Sequence, residues 1–464
     1  MTERLAPLDV SFLYLEERTT PMHVGGVALF SPPVGGPFDY DRLVAIIESR
    51  ISLVPRYRQK IKWVPGHIAS PVWVDDNSFD IGYHIRRSAL PKPGSDDQLR
   101  ELVGRLMSRR LDRSRPLWEM YFVEGLSKGR IAVITKSHHA MVDGISSVDI
   151  SQVLLDVTPE PREVPPDNWE PAPEPNPVDL VVEAISDFIS QPTEVVDAIR
   201  NGVNDATATG LKLAAAVSGL VAYARTAARP ASETPLNVDI GEQRRFGMAR
   251  TELDDYKRVR KSHGGTVNDV VLATVAGALR NWLMSRGEPV STSTVIRAMV
   301  PVSVRPPDHQ GALGNKVSSY LVDLPVGEED PVERLHQLSA GMKAHKEAGQ
   351  SVGADALVRL SGFAPPTLHS MGARAASGLS KRLFNVVVTN VPGPQFPLYA
   401  GGAPMIEVFP VVPLAKNQAV SIGLTSYNGG VYYGLNADRN AMTDVDTLCQ
   451  LIEESLSELV GTVT

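Results

Sequence analysis

Two adjacent histidines, His138 and His139, are followed after three residues by Asp143-Gly144, within the run Lys136-Ser137-His138-His139-Ala140-Met141-Val142-Asp143-Gly144. An unperturbed imidazole titrates at about pH 6.5, so a histidine can take and return a proton under working conditions. Three readings fit the residues themselves: a structural pair satisfied inside the fold, ligation of a metal together with Asp143, and general-base catalysis. Metal ligation lacks its usual companions, because no His-Glu-x-x-His pattern is present and the single cysteine, Cys449, is distant in sequence. The nine residues alone do not decide between a structural pair and a base.

The flanking sequence shows what must position them. Arg130 to Thr135 is a nearly continuous apolar run that predicts a buried strand, and Ile145, Val148, Ile150, Val153, Leu154 and Val157 keep close to helical spacing. The histidines therefore fall at a strand-to-helix junction. Asp143 supplies a helix-start residue there and Gly144 the backbone freedom of a tight turn. Upstream, Pro116-Leu117-Trp118-Glu119 enters a strand that runs to Val123 and is hairpinned to the histidine strand through residues 124–129. Asp96 to Leu111 predicts an amphipathic helix. Its arginines and those that follow, Arg105, Arg109, Arg110, Arg113 and Arg115, are expected to form a solvated face, the alternative being that one turns inward to pair with Asp143.

His138-His139-x-x-x-Asp143-Gly144 resembles the HHxxxDG signature of the CoA-dependent acyltransferase superfamily. Three further stretches are more specific: Pro7-Leu8-Asp9 followed by Ser11-Phe12-Leu13, Pro116-Leu117-Trp118-Glu119, and Val267-Asn268-Asp269-Val270-Val271-Leu272. Together they resemble the bacterial wax ester synthase/diacylglycerol acyltransferase family, nearly end to end. The resemblance implies an α/β fold of two chloramphenicol-acetyltransferase-like domains, each a mixed sheet flanked by helices, with a tunnel at their interface bordered by Asn268 and Asp269. It implies transfer of a long-chain acyl group from acyl-CoA, a substrate and not a resident cofactor, to diacylglycerol or a long-chain alcohol. His139 would act as base, His138 would shape the site, Asp143 and Gly144 would hold the loop, and no metal would take part.

Composition limits the other classes. With 464 residues and 43% hydrophobic content the chain can bury two or three substantial cores, and a net charge of -7 with a pI near 5.9 gives no footprint for nucleic acid. One cysteine leaves no intrachain disulfide and suits a reducing cytosol. No signal-peptide pattern and no apolar run of about 20 residues is visible, so a cytoplasmic protein is expected, with any contact at the inner face of the membrane or on lipid droplets peripheral.

Prolines at 159, 161, 165, 166, 171, 173, 175 and 177 mark Thr158 to Pro177 as a linker that no helix or central strand tolerates. The expected division is residues 1–157, an acyltransferase domain carrying the histidines; 158–237, linker and connecting helices; and 238–464, a second acyltransferase-like domain. Within the connecting part, Leu211 to Ala227 is apolar enough to pack between domains or to lie on a lipid surface. Lys257, Arg258, Arg260 and Lys261 on the helix after Leu253 either meet coenzyme A phosphates or form an ordinary basic surface. A free-standing condensation-type domain and a lipid-surface protein without turnover are the competing functions. Labelled acyl-CoA and diacylglycerol would separate them.

Overall fold

The computed structural model describes residues 3–32, 38–142, 153–190, 231–303, 317–347 and 383–463. In the first part of the chain the elements are β1 (Glu3–Arg4), α1 (Pro7–Leu15), β2 (His23–Phe30), α2 (Tyr40–Arg50), β3 (Gln59–Lys62), β4 (Val72–Asp75), α3 (Ile81–His84), β5 (Ile85–Ala89), α4 (Asp96–Met107), β6 (Trp118–Glu124), β7 (Ile131–His138) and α5 (His139–Val142). Local chemistry sets their ends. Asp39 caps α2 by accepting from the Arg42 amide at 2.9 Å, and Ser95 with Gln98 forms a reciprocal capping box on α4. Leu43, Ile46 and Ile47 are buried on one side of α2, the stripe that periodicity predicts.

The second part contributes β8 (Arg244–Glu252), β9 (Ile296–Ser303), β10 (Val317–Leu324), β11 (Val386–Pro392), β12 (Tyr399–Ala400), β13 (Ala403–Val411), β14 (Val420–Tyr427) and β15 (Gly430–Asp438), with helices Leu253–His263, Val267–Ser285, Pro331–Glu347 and Val445–Gly461. Two six-stranded sheets result, in the orders β12-β13-β2-β7-β6-β5 and β10-β9-β11-β14-β15-β8. Both are mixed: β5 is parallel to β6, and β11 is parallel to β9 and β14. Asn428 and Gly429 adopt φ of 45° and 92° between β14 and β15, the left-handed conformation a tight hairpin requires and these residues permit. The mixed α/β fold follows the expectation. The sheets, however, are not divided by chain position, for β12 and β13 from the later part complete the first sheet.

That crossing strand is also where the sheets meet. Val27, Leu29, Leu99, Val103 and Ile134 share a core with Phe246, Met248, Phe409 and Val411, while a larger core surrounds the Val267–Ser285 helix. Gly434 on β15 permits close approach, since a Cβ there would stand 1.9 Å from the Pro410 carbonyl oxygen of β13. The proline-rich segment has no helix or strand between residues 157 and 176, as expected, yet it is pinned along its length. Arg50 donates to the Arg162 carbonyl at 3.3 Å, Arg58 meets Asp167, and Lys62 meets Glu174 at 2.8 Å. Leu211 to Ala227 lies outside the described residues.

Gly434→Ala drives a methyl group into backbone that cannot rotate away, and overpacking of this kind costs about 1–3 kcal/mol. A urea titration will show the variant's midpoint lowered, whereas Gly429→Ala, with nothing within 4 Å of its added Cβ, loses only what the left-handed backbone demands.

Candidate active site

β7 carries Lys136 and His138 inward and hands the chain to α5 at His139. The junction is fixed by backbone hydrogen bonds from the His138 amide to the Leu117 carbonyl (2.9 Å) and from the His139 amide to the Met22 carbonyl (2.8 Å). The two histidines then occupy different surroundings. His138 is 1% exposed, and His139 is half-buried with its ring stacked on Phe12 of α1, centroids 4.0 Å apart. Stacking fixes the imidazole plane while leaving part of the side chain open to a reactant.

His138 is engaged below the site. Its Nδ1 accepts from the Ala140 amide at 3.1 Å, and its Nε2 faces Glu16 Oε1 at 3.9 Å. Burial pushes its pKa down to about 4, the carboxylate of Glu16 only partly opposing this, so the ring is neutral at working pH. His23, opposite His138 in the β2–β7 register, is likewise held well below its ordinary value by burial and then by Lys136. Burial alone would raise the Glu16 carboxyl. His138 and the guanidiniums of Arg113 and Arg110 outweigh it, and with His138 neutral the arginines are what keep the carboxylate charged.

Beside this cluster Lys136 is fully buried, donating to the Leu106 and Arg109 carbonyls at the end of α4 and standing 3.4 Å from Glu119 Oε2. Glu119 also accepts from the Tyr121 hydroxyl at 2.6 Å and pairs with Arg86 at 3.0 Å. The Trp118 ring is 0% exposed and donates Nε1–H to the Tyr57 carbonyl, so it is core. The Pro116–Glu119 motif thus supports the histidine strand from the neighbouring strand.

The structure brings His138 and His139 together with Glu16 and His23, which did not stand out in the sequence, and with Phe12, Arg110 and Arg113, which stood out only as part of a motif and of an arginine-rich face. Phe12 on α1 and Glu16, the residue just past its end, stand four apart, a spacing that could have flagged one helix face. Arg105, Arg109 and Arg110 are exposed, as a solvated face requires, while the guanidiniums of Arg110 and Arg113 reach in to pair with Glu16. Asp143 and Gly144 lie outside the described residues. Asp269 completes a capping box with Thr266 at the start of the Val267–Ser285 helix, and Asn268 accepts from Asn390 of β11 at 3.3 Å. Both are engaged with elements of the later part. Lys257 and Arg258 are paired with Asp254 and Asp255 of their own helix. Among the described residues no group of three His, Cys, Asp or Glu side chains is placed to hold a metal, and no helix is long and apolar enough to cross a membrane.

Comparison with known proteins gives the same pattern over the whole chain. Residues 5–271 match the wax ester synthase/diacylglycerol acyltransferase catalytic domain, and residues 313–460 match the C-terminal domain of that family. A Mycobacterium tuberculosis H37Rv protein described as a probable diacylglycerol O-acyltransferase is 36% identical, covering 98% of each chain. Among solved structures, a wax ester synthase/diacylglycerol acyltransferase from Marinobacter aquaeolei VT8 superposes with a TM-score of 0.70 at 30% identity, covering 98% of each chain. The first condensation domain of the calcium-dependent antibiotic synthetase, at 14% identity, covers 99% of this chain and 96% of its own with a TM-score of 0.58, which shows a shared fold.

A histidine whose folded pKa lies below its unfolded value binds protons more readily when unfolded, so its burial is free above about pH 6.5 and costs stability as pH falls toward 4. For His138 that cost reaches on the order of 3 kcal/mol at the acid end, from the shift down to about 4. Urea midpoints measured from pH 7 to 4 will fall more gently in His138→Gln than in the parent chain, with His23 and His84 among the groups that supply the slope that remains.

Proposed function

Since the chain belongs to the wax ester synthase/diacylglycerol acyltransferase family, we propose that it transfers a long-chain acyl group from acyl-CoA to the free hydroxyl of diacylglycerol, forming triacylglycerol and free coenzyme A. The observation that carries this reading is the end-to-end relationship to proteins described by that activity, together with a half-buried His139 held at the end of β7 by Phe12. His139 takes the proton of the acceptor hydroxyl as its oxygen attacks the thioester carbonyl. The tetrahedral intermediate collapses by breaking the carbon–sulfur bond, and the departing thiolate recovers the proton from His139. Each atom and proton is accounted for with no acyl-enzyme, no metal and no cofactor beyond the acyl-CoA substrate. Asn268 and Asp269 border the substrate path in this reading, Asp269 chiefly by fixing the helix start that presents Asn268.

A fatty alcohol offers the same nucleophile as diacylglycerol, and the Marinobacter relative carries both activities in its name. Competition between the two acceptors for one labelled acyl-CoA ranks them. Both acceptors partition into lipid, so the protein meets them at a lipid surface as a peripheral protein. The helix Pro177–Ser190 supports this with an outward apolar row, Val178, Val182 and Ile185, exposed by 68%, 60% and 49%. Aspartate at these three positions should release the protein from liposomes in flotation and leave turnover of a short soluble alcohol intact.

His139→Ala should lower kcat by ~10²-fold or more, the ordinary loss on removing a general base, with a smaller effect for His138→Ala. Full activity in folded His139→Ala would remove His139 from the mechanism. Prolonged EDTA treatment should leave the rate unchanged, and loss with rescue by zinc would replace the metal-free base with a metal site.

A further inference from the structure

One end of α1 touches both histidines. Phe12 stacks on His139, and Glu16, one turn later with its amide bonded to the Phe12 carbonyl at 3.1 Å, presents its carboxylate to His138. The two carboxylate oxygens are divided. Oε2 accepts from Arg113 Nε at 3.0 Å and from Arg110 Nη2 at 3.1 Å, while Oε1 faces His138 Nε2 at 3.9 Å and His23 Nε2 at 3.6 Å. Arg113 also donates to the Leu13 carbonyl at 2.9 Å, which ties the clamp to the end of the helix. The Glu16 side chain is 2% exposed. Burying a carboxylate carries a desolvation penalty that its ion pairs seldom more than offset, so stability alone gives no reason for this arrangement.

What Oε1 acts on is the His138 ring. The Ala140 amide can only donate, so its hydrogen bond requires a bare Nδ1 and places the single proton of the neutral ring on Nε2. A negative oxygen on the Nε2 side favours that tautomer and disfavours a flipped ring, which would turn a lone pair toward it. At 3.9 Å the oxygen acts as a fixed charge rather than as a hydrogen-bond acceptor.

We propose that Glu16 is a positioning residue for acyl transfer: clamped by Arg110 and Arg113, it holds His138 as its Nε2–H tautomer, so that Nδ1 keeps the Ala140 amide and with it the first turn that carries His139. The inference rests on His139 being the base. Without Glu16 the ring samples both tautomers, the Ala140 amide loses its acceptor part of the time, and His139 drifts. A displacement of about 1 Å in a reacting group can cost ~10²-fold in rate.

The test uses the full chain labelled with ¹⁵N-histidine. Long-range ¹H–¹⁵N spectra report which ring nitrogen is protonated, and His138→Gln assigns the His138 signals. In the parent chain His138 is expected as a single Nε2–H form. In Glu16→Gln it becomes a tautomer mixture, kcat falls about tenfold or more, and the KM for acyl-CoA stays within about twofold. Glu16→Gln with a single Nε2–H tautomer overturns the proposal, whether kcat falls or not, as does a mixed tautomer with unchanged kcat. If Glu16→Gln does not fold, Arg110→Gln/Arg113→Gln, which removes both clamps that hold the carboxylate charged and in place, is read by the same two measurements and the same outcomes decide. His139→Ala separates the premise from the inference: full activity there ends the base mechanism, while the His138 spectrum still reports on Glu16.

Discussion

β2 lies antiparallel on β7 with His23 opposite His138 and Gly25 opposite Lys136, and a Cβ on Gly25 would come within 2.0 Å of the Thr135 carbonyl oxygen. Because side chains alternate between faces, a slip of one residue in this pairing would turn His138 away from Glu16 and His23 together. Everything specific about the site follows from this register. It sets the buried imidazoles of His23 and His138 edge to face on one side of the sheet, sets the Met22 carbonyl where the His139 amide needs it, and leaves His139 as the first residue past the strand.

The charges around that pairing show how a site can be dry below and open above. His138 and His23 are neutral because burial makes protonation expensive, whereas Glu16 stays ionised because arginines on the segment after α4 reach it. Lys136 remains buried through contacts with α4 carbonyls and Glu119. Near neutrality His138 and His23 are thus uncharged and Glu16 charged, and in the mechanism proposed above the proton transfer falls to His139 at the rim.

Much of this was legible in the sequence. The strand ending at the histidines, its hairpin partner, the amphipathic helix α4 and the proline-rich linker are all local patterns, and local patterns survive reading one residue at a time. The cluster beneath the histidines was not legible, because Glu16, Arg110, Arg113 and His138 are joined by tertiary packing between distant segments, and an acidic residue after an apolar helix looks the same whether it is solvated or buried. The strand exchange was hidden for the same reason. Nothing in Ala403–Val411 says that its partner is β2 and not a neighbour in its own half. Asn268-Asp269 was found as a motif, but only the Thr266 capping box shows how much of the Asp269 signal is helix-start chemistry.

β13 pairs with β2 over the span Met405 to Val411, so a strand made early waits for one made late. On the ribosome the outer edge of β2 is born without its partner and stays so until the chain has grown past residue 411, some tens of seconds at about 5–20 residues per second. For that time the nascent protein presents an unpaired, largely apolar edge of the kind that recruits other chains. Vectorial synthesis therefore delivers the histidine strand long before its sheet can close, and closure waits for a late strand to return to an early one.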